Sequence, residues 1–177
     1  MTQPEAPQTT LIGLVDALVA KLHDKLPDLP VVSADRPPKQ QRSLRVPAVY
    51  IEIDSFDPMA EAGDSRLEVD ARFQARCLFD PNHPRGELML RALAARVAVA
   101  LHEIRRPVPG HGHIRLLNAG DDAFRPEIDG YLCWVVEFSI SIALGELEPE
   151  GVTPTEIHLG QHPAIGENHA DDYERIA

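Results

Sequence analysis

The chain predicts an α+β fold: a two-layer sandwich in which a mostly antiparallel four-stranded sheet carries two helices on one face, followed by an extended C-terminal arm. Three observations predict it. Residues 66–79 and 131–144 alternate apolar with polar or small side chains, which in an extended chain points one set to a core. Residues 11–26 and 90–104 repeat apolar side chains at helical spacing, and after Gly145 the composition turns acidic. These boundaries divide the chain into an α+β domain, 1–145, and an acidic extended arm, 146–177.

The elements follow in order. Residues 1–8 are polar and proline-bearing, and Thr9 or Thr10 then offers a helix N-cap. Leu11, Leu14, Val15, Leu18, Leu22 and Leu26 make the apolar stripe of a first helix, stopped by Pro27 and Pro30. Val31 and Val32 begin a short edge strand, left outside the four-strand count. Arg36, Lys39, Arg42 and Arg45 then mark a basic, proline-stiffened loop.

Residues 47–54, PAVYIEID, read as a strand with Val49, Ile51 and Ile53 inward, its proline at the point where a strand can begin. Asp57-Pro58 and Gly63-Asp64 predict a loop over 55–65. The next strand, 66–79, sets Leu67, Val69, Ala71, Phe73, Ala75, Cys77 and Phe79 against Glu68, Asp70, Arg72, Gln74 and Arg76, and is expected to run antiparallel to the one before. Its polar face suits either plain solvation or a subunit interface, where mixed charges set register.

Residues 80–84 break the strand, and Asn82 or His83 is the expected cap of a second helix. Leu90, Leu93, Ala94, Val97, Leu101 and Ile104 form its stripe, while Ala92, Ala95, Ala98 and Ala100 raise helix propensity and permit close packing. Pro107, Pro109 and Gly110 end it. Ile114, Leu116 and Asn118 suggest a third strand, 120–130 a polar excursion. The longest alternating run then sets Leu132, Trp134, Val136, Phe138, Ile140, Ile142 and Leu144 inward, leaving a semi-polar opposite face.

The totals narrow the function. With 177 residues there is room for one ordinary domain and its unpacked ends. A net charge of -11 argues against a nucleic-acid sequence reader, since phosphate binding rests on Lys and Arg. There is no apolar run of the length a membrane span needs and no secretory leader, so a cytoplasmic site of synthesis is expected. Cys77 and Cys133 both fall in strands and are expected as free thiols. In the arm, eight acids stand against Arg175 alone, with Ile165 and Tyr173 among spaced apolar anchors that suggest docking on this or a neighbouring subunit.

No reaction centre stands out. His111-Gly-His113 follows a proline and flanks a glycine, as in a surface turn, and neither HExxH nor paired CxxC occurs. Asp121-Asp122 and Asp171-Asp172 lie in polar stretches that solvation explains. A GxSxG elbow and a phosphate-cradling glycine loop are both missing. We expect no catalytic residue, no metal and no cofactor.

The order of these segments resembles the tail terminator, or tail-completion, proteins of long-tailed bacteriophages, including the Mu-like group. The resemblance covers roughly 11–144. It lies in the N-terminal amphipathic helix, the strand PAVYIEID after a basic loop, the alternating RLEVDARFQARCLF, the alanine-rich helix and the late strand WVVEFSISI. It implies a virion protein of the tail and neck, assembled in the host bacterial cytoplasm as a homo-hexameric ring. Such a ring sits on the last tail-tube subunits, stops tube growth and offers a docking surface to the head-neck connector, while DNA passes without sequence-specific binding. On that reading Arg36, Lys39, Arg42, Arg45, Glu68, Asp70, Arg72, Arg76, Ile165 and Tyr173 are the candidate subunit or partner contacts. The alternatives are a neck or adaptor subunit of the same virion, a domesticated contractile device, and, in a different class, a small metal-dependent hydrolase using His111, His113 and Asp121 or Asp122.

Overall fold

A computed structural model describes residues 11–34, 44–60, 66–122, 130–145, 158–159, 165, 168 and 174–175. The chain divides into two compact units, Met1–Leu147 and Glu148–Ala177. In the first, helix α1 (Leu11–Lys25) leads into strands β1 (Val31–Ala34), β2 (Ala48–Pro58) and β3 (Leu67–Phe79). Helix α2 (Gly86–Ile104) and strands β4 (Arg115–Asp121) and β5 (Leu132–Leu144) follow. In the second, β6 (His158–Leu159) and β7 (Glu174–Arg175) pair antiparallel.

The main sheet has five strands, not the four expected, in the order β1-β2-β3-β5-β4. The fifth is β1, which pairs in parallel with the first part of β2, Val31 opposite Ala48 through Ala34 opposite Ile51. Every other pairing in this sheet is antiparallel. The short edge strand expected from Val31 is thus present; what the sequence did not show is that it joins the main sheet, because its partner lies on the far side of the basic segment.

The apolar alternation sorts the two faces. Val49, Ile51, Val69, Ala71, Phe73, Ala75, Cys77, Val136, Phe138, Ile140 and Ile142 share one core with Leu14, Leu18, Leu22 and Leu26 from the α1 region and Leu90, Leu93, Ala94, Val97 and Leu101 of α2. Both helices thus cover the same side of the sheet. Phe73 and Phe138, paired across β3 and β5, stack at the centre with ring centroids 5.3 Å apart. Among the described residues no helix is long and apolar enough to cross a membrane.

Three local expectations are corrected. Strand β2 does not stop at Asp54 but continues to Pro58, because a bulge between Ile53 and Ser55 lets the ladder resume with Phe56 opposite Ala71 and Pro58 opposite Val69. The proline is tolerated there because β1 pairs only as far as Ile51, so among the described residues no strand pairs with this end of β2 on that side. The cap of α2 is Arg85, whose side chain makes no capping bond, rather than Asn82 or His83; Asn82 instead closes an Asx turn on Asp80 Oδ1 at 2.8 Å. Finally, the side of β5 opposite the helices is more buried than its small and polar residues suggest. Cys133, Val135 and Ser139 are all buried, and Cys133 joins Ala48, Tyr50 and Leu78 in a second small core closed by Val31, Leu44 and Val46. The Thr9 or Thr10 cap lies outside the described residues.

Candidate functional site

The face of the sheet without helices has an apolar end and a charged end, and strand register sets both. At the apolar end Leu44 N donates to the Tyr131 hydroxyl at 2.7 Å, tying the segment before β2 to the start of β5. Tyr50 sits beneath it, its pKa raised by burial and by the neighbouring Tyr131.

In mid-face lies Arg76, 3% exposed. Its Nη1 donates to Glu52 of β2, its Nη2 to Gln74 Oε1, and its Nε to Asp122 Oδ2 at 2.7 Å. Asp122 follows β4, which is not a neighbour of β3, so the guanidinium reaches over β5 to meet it. Burial works against the charge of Arg76, but the Asp122 and Glu52 carboxylates outweigh it and hold its pKa above the ordinary arginine value. Arg76 is therefore an internal tie, and the expectation that it lies on a wet or subunit-facing surface does not describe it.

At the charged end two carboxylates, Asp57 and Asp70, stand directly opposite each other on β2 and β3. Like charges so placed repel, and each has drawn an arginine from a neighbouring position. Arg72 Nε meets Asp57 Oδ2 at 2.8 Å, and Arg115 Nη2 of β4 reaches Asp70 Oδ2 at 2.6 Å. Gln74 donates to Glu137 at 3.3 Å in the adjoining row. Arg72 and Arg115 are both paired with Ser139 in register, one from each side, and the buried Ser139 hydroxyl has no hydrogen-bond partner among the described residues. Beyond this end the chain exposes Phe56, Met59 and Leu67 at the corner where β2 ends and β3 begins.

Of the candidate contacts, Asp70 and Arg72 thus belong to one charged cluster and Arg76 to a separate buried one. Glu68 lies half-buried in the next row toward the corner, and Arg45 is exposed ahead of β2. Ile165 is exposed in the second unit. Arg36, Lys39, Arg42 and Tyr173 lie outside the described residues, as do residues 61–65 of the expected loop over 55–65. Sequence reading missed Arg115, Asp57 and Glu52. Arg115 lies between Ile114 and Leu116 of the expected third strand, so its face was legible, but nothing along the sequence shows that β4 would bring it within reach of Asp70 on β3.

The histidine and acid candidates do not gather. His113 Nε2 lies 3.3 Å from Arg106 Nη2, while the buried Nδ1 of His111 has no hydrogen-bond partner among the described residues. Burial and the nearby Arg66 hold the His111 pKa below its usual range. Asp122 is committed to Arg76. Among the described residues no group of three or more His, Cys, Asp or Glu is placed to hold a metal ion.

No protein-family model matches the sequence, and no curated protein matches it. Among solved structures, the chain is similar to one from the "Virion of native gene transfer agent (GTA) particle", at 16% identity and a TM-score of 0.45. That similarity spans 78% of this chain and 95% of the other.

Proposed function

We propose that the protein is a structural component of a phage-type virion that closes the end of the tail tube as a ring, halting tube growth and presenting a surface to the head-neck connector. The observation that carries the reading is the element order of 11–144, on which the resemblance to tail terminators rests. The charged end of the sheet supports it. Paired but exposed charges on rigid strands fix the orientation of a docked neighbour more than they add affinity, which suits a subunit that must take one place in a ring. The proposed contacts are Asp57, Asp70, Arg72 and Arg115 on the sheet, the segment 36–45 with Arg42 and Arg45, and the corner at Phe56, Met59 and Leu67. The net charge of -11 accords with a ring through which DNA slides, because a basic lumen would retain it by counterion release. The reading gives the chain no reaction, metal or cofactor.

Electron microscopy of the purified protein, alone and mixed with tail tubes, tests it. Rings, free or capping tube ends, are the expected result. Charge reversal at Arg42 with Arg45, and separately at Arg72 with Arg115, should lengthen tails or block joining. Normal tails from both reversed variants, or no association with tubes, would overturn the assignment. Stoichiometric zinc in the purified protein would favour the hydrolase instead.

A further inference from the structure

Helix α2 is apolar on two sides. One side, with Leu90, Leu93, Val97 and Leu101, is buried against the sheet. The opposite side carries Leu88, Ala92, Ala95 and Val99, which at 3.6 residues per turn stand one above another. Leu88 is 51% and Val99 57% exposed, and both alanines are exposed between them. A helix that is apolar on both sides is normally packed on both sides.

The stripe also has a symmetry. Its sizes run large, small, small, large, and the midpoint of Leu88 and Val99 coincides with that of Ala92 and Ala95, between Leu93 and Ala94. A second α2 laid antiparallel about that point sets Leu88 on the partner subunit's Val99. Ala92 then meets the partner subunit's Ala95, and the paired alanines let the two axes come close. Charge agrees with this direction. Exposed Arg85 stands at the N-terminal end of α2, and no ion pair engages it among the described residues. At the C-terminal end Glu103 is exposed and holds Lys25 at 2.7 Å. Antiparallel pairing brings Arg85 within one residue of the level of the partner subunit's Glu103 at both ends. It also sets Arg91 level with the partner subunit's Arg96, each already held by a carboxylate of its own chain, Glu87 and Asp28. Parallel pairing would oppose like charges at both ends.

We infer that this face of α2 is an isologous contact that joins two copies of the chain antiparallel. Because a two-fold contact closes on itself, it pairs copies that are not neighbours in one ring, and it stands independently of the tail-end reading. One helix face is small beside the roughly 800 Å² per partner of a stable complex, so the pair is a reversible one.

Sedimentation velocity over about a hundredfold range of concentration should show the mass moving from monomer toward dimer. Ala92→Glu with Ala95→Glu should abolish that movement while circular dichroism and the melting temperature stay unchanged. Orientation is read separately by mixing Leu88→Cys and Val99→Cys proteins with a short thiol crosslinker, the native Cys77 and Cys133 being buried. The mixed 88–99 product should dominate. A monomer at every concentration, an oligomer indifferent to the glutamates, capture of a different protein on this face in place of a second copy, or 88–88 products equal to mixed ones would overturn the inference.

Discussion

Arg76 and Asp122 are joined at 2.7 Å across an intervening strand, so one guanidinium fastens β3 to the chain leaving β4 while it also holds Glu52 on β2. The tie spans four strands of the five. Replacing Arg76 by Ala removes the only charge of the three that compensates the other two, leaving Glu52 and Asp122 with side chains 11% and 17% exposed. Breaking a buried pair from one side costs about 3–5 kcal/mol. Urea unfolding of Arg76→Ala should lose that much. The triple variant Arg76→Met, Glu52→Gln, Asp122→Asn should recover most of it, because the two carboxylate charges are removed together with the arginine.

His111 makes stability depend on pH in one direction. Its pKa in the folded state lies below the unfolded value, so the unfolded chain binds the proton first. The contribution is complete above about pH 6.5 and is lost as pH falls from there through the lower folded value. His111→Gln should flatten the urea midpoint between about pH 6.5 and 5 relative to the parent, while the carboxylate-driven loss at lower pH persists.

The Cys77 thiol is fully buried in the main core, and its pKa is pushed far up by burial and by the nearby Cys133. A thiol that stays protonated and covered is inert. Iodoacetamide at about pH 8 should leave Cys77 unmodified by mass spectrometry in the folded protein and alkylate it promptly in urea. Labelling at the same rate in both states would contradict the burial.

Gly86 opens α2 where a Cβ would stand 2.9 Å from the Asp80 carbonyl oxygen and 2.8 Å from Leu132 Cδ1. Alanine gains about 1 kcal/mol of intrinsic helix propensity over glycine, but overpacking against backbone costs about 1–3 kcal/mol. Gly86→Ala should therefore lower the urea midpoint even though it improves the helix as a sequence. A raised midpoint would show that the turn over 80–85 yields freely.

The layered fold was legible because the alternation in 67–79 and 132–144 is long enough to exclude a helix, and the stripes of α1 and α2 name most of their buried residues, missing Gly86 and Ala100 and including Leu11, Val15 and Ile104, which are partly buried. What escaped was non-local. Asp57-Pro58 has the composition of a turn, and only the bulge beside Asp54 keeps it in the ladder. Arg76 shares the parity of Glu68, Asp70 and Arg72, so nothing along β3 distinguishes it; its burial comes from β2 and from the end of β4. The charged cluster was half visible for the same reason: Asp70 and Arg72 lie in one alternating run, whereas Asp57 sits beyond a bulge that reverses which residues share a face, and Arg115 comes from a strand that is not a neighbour of β3.

The position of β3 at the centre of the sheet has a kinetic side. Its contact with β2 is made between neighbours in the chain, but its contact with β5 must wait until the chain has closed the long stretch containing α2 and β4. Closing that stretch costs entropy before any pairing repays it, so the β2–β3 hairpin and α2 are available early and the arrival of β5 limits the rate. Substitutions in β5 should then slow refolding, whereas those in β1, which joins at an outer edge, should mainly hasten unfolding.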